Sequence, residues 1–228
     1  MVSVKRWEQA QETEPSFWEG VAQNEVALLD TLSSNAAKAS QLRRLLPARP
    51  VTCLEVGIGP LGLGVIGFLP EIPFRAGLDP LSPVWGRCAD GLWAFVNSRR
   101  VPYVISLGES IAIRSCAVDL VVCCNVLDHV LNPEAVLTEI RRVLKPDGHL
   151  FLDVHTFSLL GLLKWHAWTK RRHSDEILVK SHPYRFLEQT VQAMLRAQGL
   201  EILAKEGHSL LSVLCGHARA TAFLATKR

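Results

Sequence analysis

The chain has 228 residues, nearly half of them apolar, which suits a single α/β domain with a sizeable core. Its net charge of +3 is small, and only Lys170-Arg171-Arg172-His173 forms a tight basic cluster. That cluster reads as a solvated loop rather than a nucleic-acid surface. The six cysteines contain no CxxC pair, a pattern that fits free thiols in a reducing compartment and gives no expectation of a metal site or a disulfide framework. The N-terminus has no signal-peptide layout, and no apolar run reaches the roughly 20 residues that span a bilayer. The longest such run, Phe157 to Trp168, contains Lys164 and His166. A soluble, cytoplasmic protein is expected.

Residues Val4 to Leu46 carry apolar positions near helical spacing (Trp7, Phe17, Trp18, Val21, then Val26 through Leu45) and predict two helices. A helical layer packed on the sheet edge is the favoured reading; a lid over a ligand is the alternative. Pro47 and Pro50 close this segment, so residues 1–48 stand apart from a core at 51–155. Strands are expected at Val51–Val56, Pro73–Asp79, Pro102–Leu107, Val118–Cys124 and Gly148–Val154. Helices are expected at Leu63–Leu69, Pro83–Ser98 and Pro133–Leu144. The alternation predicts a doubly wound, mainly parallel α/β sheet. Residues 156–182, rich in aromatics and histidine, break the rhythm where a strand's carboxyl end leaves the sheet, and read as a cap insertion over an acceptor pocket. Residues 183–228 then offer a helix, Phe186–Gln198, and strands near Leu200–Lys205 and Ala220–Ala225.

The most telling segment is Glu55-Val56-Gly57-Ile58-Gly59-Pro60-Leu61-Gly62 at the end of the first strand. Glycines there let the backbone take positive φ and approach a ligand that any Cβ would displace. Gly57, Gly59 and Gly62 satisfy GxGxxG, a weak signal by itself. Asp79 closes the second strand, where an acid can accept hydrogen bonds from both hydroxyls of a ribose. After the third strand, Glu109 and Ser110 offer a carboxylate and an amide able to read adenine.

Two further stretches complete the pattern: Asp119 through Val130, a strand ending in Asn125-Val126-Leu127-Asp128-His129-Val130, and Leu137 through Leu152, which contains Leu144-Lys145-Pro146-Asp147-Gly148. From Val51 to Val154 the chain resembles the class I S-adenosylmethionine-dependent methyltransferases. The resemblance implies a Rossmann-like methyltransferase fold with S-adenosylmethionine as cofactor. It places Glu55, Gly57 and Gly59 beside the methionine moiety, Asp79 on the ribose, Pro80 by the adenine, Glu109 and Ser110 at the adenine edge, and Asn125 near the methionine amino group. Pro60-Leu61-Gly62 departs from the usual small-residue turn, and Glu109 stands where aspartate is usual.

The expected reaction is methyl transfer to a small or medium organic acceptor. A nicotinamide-dependent oxidoreductase and a non-catalytic, ligand-binding family member are the alternatives. An oxygen or nitrogen acceptor needs a base; His129, just past the tip of the fourth strand, is the candidate, with His155 and His182 behind it.

Overall fold

The computed structural model describes residues 2–84, 90–172, 182–207 and 219–228. Part of the helix expected at 83–98, and the end of the cap insertion with His173, lie outside these residues. The N-terminal segment forms three helices rather than two: α1 (Val4–Gln11), α2 (Glu14–Gln23) and α3 (Glu25–Leu45). Pro15 opens α2, and the Asn24 side chain accepts the Ala27 amide to start α3, so local capping breaks what apolar periodicity joins.

The strands are β1 (Thr52–Val56), β2 (Phe74–Asp79), β3 (Tyr103–Ile105), β4 (Val118–Cys124), β5 (Leu144–Phe157), β6 (Phe186–Leu187), β7 (Leu200–Glu206) and β8 (Arg219–Lys227). They build one sheet in the order β3-β2-β1-β4-β5-β8-β7, with β6 added to β5. The first five pair in parallel; β8 runs antiparallel to both β5 and β7. Among the described residues the remaining α-helices are α4 (Trp93–Arg99), α5 (Pro133–Val143), α6 (Leu159–Arg172) and α7 (Glu188–Ala197). Phe186 and Leu187, expected in the last helix, instead pair with the end of β5.

Side chains of β4 alternate between two cores. Val121 and Cys123 pack with Val136, Leu137, Ile140 and Val143 of α5 and Val191 and Leu195 of α7. Leu120 and Val122 face the other way, toward Ala39 and Leu42 of α3. That second placement follows from a failed helix. The stretch Leu63–Leu69 forms only one 3₁₀ turn, Val65–Phe68, because Gly64 and Gly67 weaken a helix and Pro70 and Pro73 end it. The long α3 packs against this turn and covers the face that the missing helix would have covered. The N-terminal segment is thus part of the core, and it lies beside the carboxyl ends of the parallel strands.

Candidate active site

A cavity of about 560 Å³ opens at the carboxyl ends of β1, β2 and β4. This is the crevice where open α/β sheets bind ligands, and the size lies in the range of small-molecule sites. Glu55, Gly57, Gly59, Asp79, Pro80, Glu109, Asn125 and His129 all line it; Ser110 does not, and is exposed.

The glycine turn is held by backbone bonds. Gly57 has φ +73° and donates its amide to the Leu78 carbonyl at 2.8 Å; Gly59 has φ +79°. A Cβ on Gly57 would lie 2.2 Å from Val126 Cγ2, so the turn and the tip of β4 fit only without a side chain there. Asn125 also takes a left-handed φ of +55°, with its amide donating to the Asp153 carbonyl at 2.8 Å.

The three carboxylates at this end accept hydrogen bonds from backbone amides. Glu55, buried under the turn, accepts the Val65 and Ile66 amides at 2.9 Å each and so caps the 3₁₀ turn. Burial pushes its pKa up to about 7, against the opposing pull of those amides. Asp79 accepts the Gly59 amide at 2.8 Å and the Leu81 amide at 2.9 Å, and burial raises its pKa to about 6. Glu109 accepts the Leu131 and Asn132 amides at 2.9 and 3.1 Å, tying down the entry to α5.

The opposite end of the cavity is made of side chains from distant segments. Asp128 is buried, and its Oδ2 lies 2.8 Å from His182 Nδ1. Burial would push the Asp128 carboxyl up, but the His182 hydrogen bond and the two neighbouring imidazoles outweigh it and hold it below its ordinary value. The rings of His129 and His182 stand 4.3 Å apart. Glu14 Oε1 lies 3.1 Å from His129 Nδ1, and Asp128 Oδ2 lies 3.9 Å from His129 Nε2. The His129 carbonyl accepts from Trp7 Nε1 and Gln11 Nε2, each at 3.1 Å. Asp128, His129 and His182 bring three ligand-type atoms within 4.8 Å of one another, close enough to hold a metal ion, although the sequence shows no metal-ligand spacing.

Trp7, Gln11, Glu14, Phe17 and Trp18 line the cavity, and the Trp18 ring lies over Gly59. The N-terminal helices therefore form one wall of the cavity. The cap reading fares differently. Among the described residues of 156–182, only His182 lines the cavity, with His155 just before the segment. The pairing of Asp128 with His182 and the approach of Glu14 had no signal in the sequence, apart from tryptophans clustered near the N-terminus.

Residues 88–152 match the model of a methyltransferase domain. Comparison with curated protein sequences finds no match. Among solved structures, an S-adenosylmethionine-dependent methyltransferase from Thermotoga maritima superposes with a TM-score of 0.63 at 16% identity, covering 98% of this chain and 100% of its own. The 1,6-didemethyltoxoflavin N1-methyltransferase of Burkholderia thailandensis gives 0.63 at 15%, covering 100% of this chain and 91% of its own. The cyclase SpnF gives 0.61 at 17%, with 84% and 80% covered. The family match is confined to residues 88–152, and these solved structures, at 15–17% identity, show a shared fold.

Proposed function

We propose that this protein transfers the methyl group of S-adenosylmethionine to a small or medium organic acceptor held at the histidine end of the cavity. The observation that carries this reading is the glycine turn of β1 and the buried Asp79 of β2 facing one cavity, in a sheet whose β8 is antiparallel. Beyond β5 the described strands are the two-residue β6 and the antiparallel β8–β7 pair, which do not make the second mononucleotide half that a nicotinamide enzyme uses.

The residues present fit the cofactor. A carboxylate has about four lone-pair directions, so Asp79, with two taken by amides, keeps acceptors for two ribose hydroxyls. Gly57 and Gly59 would let the methionine part approach the backbone, with Asn125 at the adjoining strand tip. Pro80 and Glu109 stand at the adenine end, and the exposed Ser110 contributes at most through its amide. When bound, the cofactor supplies an electrophilic methyl carbon on a sulfonium. The chain's own task is alignment and exclusion of water, which Trp7, Phe17 and Trp18 serve by closing the cavity.

Two histidines are candidates to take the acceptor's proton. With Nδ1 committed to Asp128, His182 has Nε2 left to accept it, an arrangement in which a buried carboxylate orients the base. Both nitrogens of His129 face carboxylates, so its part is to complete the charged cluster, or to act as base if Glu14 moves with the lid. The test has two stages. Tryptophan fluorescence is titrated with S-adenosylmethionine, its demethylated product and NAD; then methyl-labelled cofactor is incubated with a panel of small amines, phenols and carboxylates. The reading expects micromolar binding of the first two ligands and label in an acceptor. Binding of NAD alone would replace it, and cofactor binding without label in any acceptor of these classes would favour the non-catalytic alternative.

A further inference from the structure

The metal-ligand grouping that the sequence does not display is supplied by the fold. Asp128 and His129 share the turn after β4, and His182 lies 54 positions beyond Asp128, so no local motif marks the three. One donor atom from each nevertheless lies within 4.8 Å of the others. Around a tetrahedral ion with bonds of about 2.0–2.2 Å, neighbouring donors stand roughly 3.3 Å apart. Asp128 Oδ2 is 2.8 Å from His182 Nδ1 and 3.9 Å from His129 Nε2, on either side of that value. The two rings are tilted by 59°, so their in-plane lone pairs are not parallel.

Two observations go beyond proximity. Asp128 is only 4% exposed, and its second oxygen, Oδ1, is buried with no hydrogen-bond partner among the described residues. A buried carboxylate oxygen in that state is costly, and a bound cation removes the cost. His129 also has a carboxylate behind it: Glu14 Oε1 lies 3.1 Å from Nδ1, while Nε2 is the nitrogen nearer Asp128. Such a carboxylate orients a ligating imidazole and raises its basicity. The backbone of the cluster is held without any ion, since the His129 carbonyl accepts from Trp7 and Gln11, and the Asp128 carbonyl accepts the Tyr184 amide at 3.4 Å.

We propose that Asp128, His129 and His182 form a binding site for a divalent transition-metal ion of the zinc class, open toward the acceptor's part of the cavity. Two imidazoles and one carboxylate suit zinc or nickel, whereas magnesium and calcium take oxygen donors. The carboxylates of Asp128 and Glu14 balance the ion's two charges. Three protein donors leave a coordination position, and His129 and His182 both line the cavity, so an oxygen or nitrogen donor of the acceptor would fill it. The ion would displace the proton between Asp128 and His182: the metal-loaded site holds an acceptor by coordination, and the metal-free pair is the base described above. The role toward the acceptor rests on the methyl-transfer reading; the site itself does not.

The test uses the full chain, stripped with EDTA and desalted, then titrated with Co²⁺ alone and followed by visible d–d absorption and calorimetry. One Co²⁺ per chain, displaced by Zn²⁺, is expected. His182→Gln, His129→Gln and Asp128→Asn should each weaken Co²⁺ binding by about a hundredfold or more, and Glu14→Gln by about tenfold. His155→Gln, which removes a cavity histidine outside the cluster, should leave it unchanged. Melting temperatures measured without metal separate misfolding from ligand loss, and if Asp128→Asn does not fold the two histidine variants decide. Acetohydroxamate, a small oxygen chelator, should change the cobalt spectrum by entering the open position. No stoichiometric binding, or binding that survives both histidine substitutions, would overturn the site; a spectrum that acetohydroxamate leaves unchanged would overturn its opening to the acceptor. S-adenosylmethionine is titrated into the stripped wild type as well. Failure there counts against methyl transfer, whereas failure to bind cobalt with cofactor binding intact counts against the metal site alone.

Discussion

The two ends of the cavity are built from different materials. At the nucleotide end, positions are set by backbone: positive-φ glycines, strand tips in register, and three carboxylates that each accept two main-chain amides. At the histidine end, positions are set by side chains brought from residues 7–18, 128–129 and 182, separated by up to 175 positions in the chain and joined by single contacts such as Asp128–His182. A backbone-built end tolerates almost no change of shape but binds a fixed ligand, whereas a side-chain-built end can be refitted to new acceptors without moving the sheet.

Substitutions at each end should separate the two. The largest effect is expected from Gly57→Val, whose Cβ would meet Val126 and whose φ of +73° is strained for a branched residue. S-adenosylmethionine binding should vanish in calorimetry, with a stability loss of about 2–4 kcal/mol in urea. A variant that binds normally would show that the turn is structural only.

Next comes the histidine end. His182→Gln should lower kcat by about 10²-fold or more and remove the acidic limb of the pH–rate profile, with cofactor affinity unchanged. Asp128→Asn should follow it in the same direction. If His129→Gln instead gives the larger fall and loses the limb, the base is His129 and the Asp128–His182 pair is structural.

Asp79→Ala should weaken cofactor binding by tenfold or more, as two charge-assisted hydrogen bonds are lost and water compensates in part. The wild-type affinity carries its own signature. Ribose hydroxyls donate to the ionised carboxylate, and Asp79 titrates near about 6. Affinity should therefore be nearly constant above pH 7 and fall as the pH drops through 6, by up to about tenfold at pH 5. Asp79→Asn should flatten that dependence; a slope that survives would place the titrating group elsewhere. The smallest effect is expected from Trp18→Ala. It removes the ring over Gly59 without touching a polar partner, and should raise the cofactor dissociation rate by a few-fold in stopped-flow fluorescence. A Trp18→Ala protein indistinguishable from wild type would leave the N-terminal helices as core alone.

Much of the nucleotide end was legible in the sequence because its determinants are local. A positive-φ turn needs glycine at Gly57 and Gly59, Asp79 and Pro80 mark the end of β2, and these signals fall within a few residues of the features they specify. The same holds for α5, whose cap Asn132, first residue Pro133 and apolar stripe are contiguous. Locality failed where a competing contact was remote. The 3₁₀ turn in place of a helix at Leu63–Leu69 is tolerated because α3 covers the exposed face, and Phe186–Leu187 leaves its helix to pair with β5. What the sequence by itself determined is the succession of β1 to β5 along the chain and the glycine turn after β1, since hydrophobic period and backbone permissiveness act over short spans. Only the tertiary structure decided that Glu14, Asp128, His129 and His182 meet, that Trp18 lies on Gly59, and that the leucines of α6 face outward. Those are contacts between surfaces, and no pattern within one segment encodes which distant segment will lie against it.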